Sequence, residues 1–117
     1  MRNIIFRGID ARRNIWLYGF LSWNDYNKKQ FFINNLSVLA STVGQYTGLT
    51  DIDGKRIFEG DIVEFNDNRY VVEWDNYDCH YILSNKLDLS PVLNNELVET
   101  TQLKVVGNIF QPDKSPS

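Results

Sequence analysis

Short apolar runs alternate with clusters of Gly, Asn and Asp along most of this chain, a pattern typical of consecutive β-strands joined by tight turns. In residues 69–74, for example, Tyr70, Val72 and Trp74 alternate with charged or smaller side chains. Before residue 94 no stretch shows the 3.6-residue period of an amphipathic helix. The chain is therefore predicted to be mainly β, with a β-rich α+β fold.

The N-terminal region predicts a β-hairpin. Residues 4–7 and 15–21 are rich in apolar side chains, and a polar turn separates them. The second arm is apolar on both faces, since Trp16, Tyr18 and Phe20 alternate with aliphatic residues. A strand of this kind is expected to be covered on both faces, either by the rest of the chain or by another copy of it.

The central segment, residues 45–63, contains the clearest turn. Asp53-Gly54 suits a tight turn with positive φ, and Gly60 provides a second break. The strands that follow predict a meander that curls into a small barrel. The other predicted elements are a loop at 22–29, a short strand at 30–33, a helical turn or strand at 36–40, a strand at 79–83, a short helix at 94–100 capped by Asn94 or Asn95, a closing strand at 103–110 and a loose tail at 112–117.

Length and composition predict a single domain. The chain has 117 residues, of which 43% are hydrophobic, and a chain of this size can bury one real core. We expect two lobes within it: an N-terminal hairpin lobe at about 1–44, a joint at 45–60 and a small SH3-like β-barrel lobe at about 61–111.

The compartment is predicted to be the cytoplasm. No apolar run approaches the roughly 20 residues that span a bilayer, and the first residues lack the apolar stretch of a signal peptide. The one cysteine, Cys79, forms no internal disulfide, so the fold needs no oxidising environment.

The charge is unevenly distributed. The net charge is −3, which does not favour binding to nucleic acid by bulk attraction to phosphate. The first 13 residues hold four arginines against one aspartate and carry +3, whereas the remaining residues carry −6. A basic end on an acidic body can orient a partner or a neighbouring subunit, although exposed arginines are most often only solvated.

Four blocks of residues, in order along nearly the whole chain, resemble the YopX protein family of bacteriophages and prophages. They are Ile4-Ile5-Phe6-Arg7 with Asp10, residues 45–63, residues 71–76 and residues 105–110. The positions that carry the likeness are Gln45, Tyr46, Thr47, Gly48, Asp53, Gly54, Gly60, Asp61, Trp74, Gly107 and Asn108. The resemblance implies a two-part, mainly β fold and self-association, and it implies no known activity.

Metal binding is not predicted. Asp51-Ile52-Asp53-Gly54 has its glycine at position 4, whereas an EF-hand loop needs glycine at position 6. Asp75, Asp78, Cys79 and His80 form a denser group of possible ligands. A single histidine and a single cysteine do not complete a usual zinc site without carboxylates or a second chain.

Catalysis is not predicted either, and no cofactor is expected. Cys79 and His80 are adjacent, and neighbours on a strand point to opposite faces, so they would not form a thiol–imidazole pair. The chain has neither a nucleophile elbow nor a phosphate-binding glycine loop.

Asp61 follows Gly60, and we expect its carboxylate to accept hydrogen bonds from turn amides. Gln45, Tyr46 and Thr47 are polar and fit either a ligand or that turn. The leading hypothesis is a non-catalytic, self-associating interaction module, for which a host or phage protein is a further candidate partner.

The alternative is a single-stranded nucleic-acid-binding protein, because such proteins combine cations with aromatic stacking platforms. Its candidate contacts are Arg7, Arg12, Arg13, Trp16 and Tyr18. A metal-dependent hydrolase using Asp75, Asp78 and His80 is a distant further alternative.

Overall fold

Antiparallel β-strands account for most of the structure, a computed structural model that describes residues 4–24, 30–85 and 91–110. This part of the chain also contains one α-helix, α1 (Asn95–Thr101), and one 3-10 turn (Ala40–Thr42). The strands are β1 (Phe6–Ile9), β2 (Trp16–Gly19), β3 (Leu21–Asn24), β4 (Gln30–Ile33), β5 (Leu36–Val38), β6 (Gly44–Thr50), β7 (Arg56–Phe58), β8 (Asp61–Phe65), β9 (Asn68–Asp75), β10 (His80–Ser84) and β11 (Lys104–Asn108). The predicted mainly β fold is confirmed.

The chain divides into two compact units, and unit 1 is Met1–Tyr46. In unit 1, β1 pairs with β2 on one side and with the first residues of β6 on the other. A second sheet has the order β3-β4-β5, and a bridge between Asp10 and Val38 connects it to the end of β1. The buried apolar side chains of this unit are those of Ile9, Ile33 and Val38.

Gly8 allows the strands of unit 1 to approach closely. A Cβ at this position would lie 3.0 Å from the Cβ of Val38 and 3.3 Å from the Cδ1 of Ile33. Contacts that short are rare for real Cβ atoms, so the missing side chain is what lets β1 lie against the β3-β4-β5 sheet.

The predicted second hairpin arm is wrong in its extent, because the chain leaves β2 at Gly19 and starts β3 at Leu21. Within one copy of the chain Tyr18 and Phe20 are exposed, so cover on both faces by another copy stays a prediction. The predicted loop at 22–29 is also wrong for residues 22–24, which belong to β3, and residues 25–29 lie outside the described residues.

Unit 2 is Thr47–Ser117. In it the end of β6 lies beside β7, and a four-stranded antiparallel sheet has the order β10-β9-β8-β11. The strand pattern of the sequence explains the core, because Tyr70 and Val72 on β9 are buried while Arg69 and Glu73 are exposed. Its buried side chains are Ile57, Val63, Tyr70, Val72, Leu83, Leu93, Val98 and Leu103.

The barrel expected for the second lobe remains a prediction. Among the described residues, β10 and β11 are the two edges of the four-stranded sheet, and no closed barrel is found. Asn66 and Asp67 form the hairpin turn between β8 and β9, with φ of 52° and 63°, the left-handed values that a two-residue hairpin loop requires.

The predicted helix is present and begins at its predicted cap. The side chain of Asn94 accepts a hydrogen bond from the Leu97 N–H, and α1 buries Val98 in the core of unit 2. One predicted strand starts a residue late: Cys79 has a φ of 55° and lies in the turn before β10. Because Cys79 lies outside the strand, the expectation that Cys79 and His80 occupy opposite faces of one strand does not apply.

The boundary between the units falls inside β6, between Tyr46 and Thr47. Most of the segment predicted as a joint, residues 45–60, thus belongs to unit 2. The predicted loose tail at 112–117 lies outside the described residues. None of the helices in the described ranges is long and apolar enough to cross a membrane.

Candidate functional site

The turn at Gly60-Asp61 is held by a buried carboxylate. Asp61 is 2% exposed, and its Oδ2 accepts the Phe58 N–H at 2.8 Å. Gly60 has a φ of 89°, and the ring of Phe110 packs so closely that a Cβ on Gly60 would lie 2.7 Å from it. The predicted hydrogen bond from a turn amide to Asp61 is therefore present, and Gly60 is required by both conformation and packing.

A second buried carboxylate, that of Asp51, organises the Asp-Gly turn. Its Oδ1 accepts the N–H groups of Asp53 and Lys55, both at 2.9 Å. Its Oδ2 accepts the Val105 N–H at 3.0 Å, so the same side chain joins the turn to β11. Gly54 completes the turn with a φ of 81°, while Asp53 is exposed and lies 3.9 Å from the Lys104 ammonium.

The polar residues of β6 are also tied to structure. The Thr47 hydroxyl donates to the carbonyl of Ile57 at 2.8 Å and accepts the Leu49 N–H at 3.2 Å. Gln45 lies on the stretch of β6 that pairs with β1, and the Tyr46 N–H donates to the Ile5 carbonyl. These polar residues were predicted either to bind a ligand or to form hydrogen bonds within the fold. The hydroxyl of Thr47 is used by hydrogen bonds within the fold.

The remaining family positions lie at the ends of strands in unit 2. Gly107 follows a β-bulge in β11, and the Asn108 Oδ1 accepts the Phe110 N–H at 3.0 Å. Trp74 is partly exposed near the end of β9 and contacts Tyr81 edge to face, with ring centroids 4.9 Å apart. In the described residues, these positions thus serve turns and strand ends.

The candidate nucleic-acid contacts of unit 1 do not form one exposed surface. Arg7 is 5% exposed, and its guanidinium carbon lies 4.3 Å from the centroid of the Trp16 ring, a cation–π contact. Both side chains are half-buried or more. As the structure stands, Arg7 cannot reach a phosphate and Trp16 cannot offer that ring face to a base.

Asp10 binds a second arginine of the group. Its carboxylate accepts the Arg12 and Arg13 N–H groups at 2.8 and 3.2 Å and binds the Arg13 guanidinium at 2.9 Å. The hydrogen bond from the Arg12 backbone, supported by the contacts to Arg13, lowers the pKa of Asp10 below its ordinary value. Both arginine side chains are exposed, but the charge of Arg13 is paired with Asp10, whereas no ion pair of Arg12 is found in the described residues.

Three large aromatic side chains of unit 1 are exposed along β2 and β3. Tyr18, Phe20 and Trp23 expose 47%, 81% and 59% of their surface. Trp23 lies opposite Phe31 in the β3–β4 ladder, and β3 is the outermost strand of its sheet. We name Tyr18, Phe20 and Trp23 the aromatic surface.

One group of possible metal ligands is found in the described residues. Donor atoms of Asp75, Asp78 and His80 lie within 4.8 Å of one another at the turn between β9 and β10. Two carboxylates and an imidazole could hold a divalent cation with open positions. However, the buried Nδ1 of His80 has no hydrogen-bond partner in the described residues, whereas a metal-binding histidine is usually oriented through its second nitrogen.

Sequence reasoning missed Asp51, whose carboxylate binds three backbone amides, and favoured the exposed Asp53 instead. The position of Asp51 at the start of an Asp-Gly turn could have identified it, because such aspartates accept hydrogen bonds from amides two residues on. It also missed Thr42, whose buried hydroxyl accepts the Ile9 N–H and donates to the Leu39 carbonyl. Nothing local in the sequence indicates that long-range contact.

Comparison with known proteins identifies the family of this chain. The family model described as YopX protein matches residues 5–114, nearly the whole chain. No curated protein matches the chain significantly. On this family match, the chain belongs to the YopX protein family.

Proposed function

We propose that this protein is a non-catalytic interaction module that associates with itself. The likeness to phage and prophage proteins supports a role as an accessory protein in the cytoplasm of a host cell, where a host or phage protein is a further candidate partner. The same proposal includes a small barrel formed by the second lobe. In this proposal, unit 1 provides the surface that associates.

The aromatic surface carries the proposal. Large exposed apolar groups cost free energy in water, and contiguous patches of them mark interaction sites. Tyr and Trp are enriched at interfaces because they combine a large apolar area with a polar group. Phe20, with 81% of its surface exposed, is unexplained by the packing of unit 1 and is explained by burial in a partner.

The position of the aromatic surface favours a second copy as that partner. β3 is the outermost strand of its sheet, and an outermost strand can pair with the same strand of another molecule. A two-fold axis beside β3 would place the Trp23 side chains of both copies in one interface, and two-fold symmetry is the most common arrangement among soluble oligomers.

Light scattering after size exclusion tests the proposal. The wild-type protein is expected to show a mass above that of the 13.7 kDa chain at micromolar concentration. The Phe20→Ser, Trp23→Ser double variant is expected to weaken association by at least about tenfold, because aromatic anchors dominate interface energies.

Ile52→Ser is the matched control, since Ile52 is an exposed apolar side chain of unit 2; it should leave the mass unchanged. A wild-type protein that stays monomeric at 100 µM, roughly the concentration at which a weak interface is occupied, would disprove self-association. An unchanged mass for the double variant would assign the interface to another surface.

A further inference from the structure

A small pocket in unit 1 lies between the turn after β1 and the β4–β5 hairpin. Its volume is about 270 Å³, slightly below the roughly 300–1,000 Å³ of pockets that hold small molecules. That volume suits a single inserted side chain better than a cofactor. The lining residues are Asp10, Arg12, Phe32, Asn35, Leu36 and Ser37.

The chemistry of the pocket is aromatic and cationic. Phe32 provides an apolar ring, and Asn35 and Ser37 provide polar groups at the wall. The one carboxylate, that of Asp10, is already engaged by the Arg12 and Arg13 backbone and by the Arg13 guanidinium. Arg12 is exposed, and its guanidinium has no carboxylate within salt-bridge distance in the described residues. The pocket therefore favours an aromatic group that is accompanied by a negative charge.

The turn between β9 and β10 in unit 2 presents such a group. Tyr77 is 97% exposed, and the side chain of the neighbouring Asp78 is 72% exposed. The turn is held in shape by Asp75, whose Oδ1 accepts the N–H groups of Tyr77 and Asp78 at 2.9 and 3.5 Å. Because the backbone of this turn is already ordered, docking it costs less conformational entropy than docking an unstructured loop would.

We propose that the β9–β10 turn of one copy docks into the unit 1 pocket of a second copy, with Tyr77 against Phe32 and Asp78 paired with Arg12. This contact rests on the proposed self-association and names a second interface for it. Because two different surfaces meet, the contact is heterologous and joins copies head to tail. The aromatic surface and this contact are separate, so together they extend an assembly beyond two chains.

Charge reversal in the full-length protein tests the pairing. Arg12→Glu and Asp78→Arg are each expected to lower the association constant by about tenfold or more in sedimentation velocity, because like charges then face each other. The double variant Arg12→Glu, Asp78→Arg should recover most of the wild-type association. Tyr77→Ser should weaken association to a similar extent, whereas Lys55→Glu, a reversal at an exposed turn of unit 2, should not.

The outcomes separate this contact from the proposed function. If the wild-type protein assembles and both single reversals leave its sedimentation unchanged, the docking contact is wrong while self-association stands. A double variant that associates no better than the single variants overturns the Arg12–Asp78 pairing. A wild-type protein that never assembles overturns self-association itself. Far-ultraviolet circular dichroism of each variant confirms that the chain is folded.

Discussion

Two buried carboxylates, those of Asp51 and Asp61, hold the turns of the central segment. Asp51 and Asp61 are 6% and 2% exposed, and a buried carboxylate is costly unless hydrogen bonds replace its water. Each accepts backbone N–H groups from a turn. At the scale of single residues, hydrogen bonding in tight turns thus accounts for the burial of these two carboxylates.

Gly60→Ala is expected to destabilise the protein more than Gly48→Ala does. Both glycines have a φ of 89°, so each alanine incurs the same strain of about 1–2 kcal/mol. Only at Gly60 would the new Cβ meet another group, the Phe110 ring at 2.7 Å, which adds roughly 1–3 kcal/mol of overpacking. Urea unfolding of the two variants measures the difference.

Gly48→Ala is the internal control, because no atom lies within 4 Å of the position that its new methyl group would occupy. Equal losses of unfolding free energy in the two variants would show that the Phe110 ring does not pack on Gly60 in solution.

Individual elements follow local chemistry closely where a turn or cap defines them. Asn34 and Asn35, like Asn66 and Asp67, all have positive φ, and Asn and Asp are the residues that tolerate it best after glycine. These turns fix the registers of the β4–β5 and β8–β9 hairpins.

Asn94→Ala is expected to lower the free energy of unfolding by about 1 kcal/mol, within the range for loss of a helix N-cap. The Asn94 Oδ1 accepts the Leu97 N–H at 2.8 Å, and α1 packs Val98 into the core of unit 2. Thermal unfolding of unit 2 should therefore report the loss.

Asn95→Ala is the matched change one residue later. Asn95 is the first helical residue and does not act as the cap, so this variant should stay within about 0.5 kcal/mol of the wild type. A loss as large as that of Asn94→Ala would contradict the assigned cap.

At the scale of the whole molecule, charge and burial together weaken the nucleic-acid alternative. The net charge is −3. In the described part of the basic N-terminal region, Arg7 is buried against Trp16 and Arg13 is bound by Asp10. In this described part, Arg12 is then the one arginine with neither a buried side chain nor a bound carboxylate, which falls far short of the continuous positive groove that single-strand binders use.

We expect fluorescence anisotropy with labelled single-stranded oligonucleotides to show no binding at micromolar protein in low salt. Each phosphate that a protein neutralises adds about 0.7 to the slope of log K against log salt for single strands, so Arg12 alone would give a slope below about 1. Binding with a steep slope, lost in Arg12→Glu and Arg13→Glu variants, would restore the alternative.

The sequence by itself determined the mainly β class, the positions of the tight turns and the capped helix. These depend on backbone preferences of Gly, Asn and Asp and on hydrogen bonds within a few residues, so the local order of residues is sufficient. The core of β9 followed in part for the same reason, since Tyr70 and Val72 are buried while Trp74, the third residue of the same alternating set, is exposed.

Only the tertiary structure decided which of the apolar and charged side chains of unit 1 are buried. Periodicity marks Trp16, Tyr18 and Phe20 as equally apolar, yet Trp16 packs against Arg7 while Phe20 lies exposed. That choice depends on the break between β2 and β3 and on the close approach at Gly8. Both arise from contacts between residues distant in the chain, which local preferences do not encode.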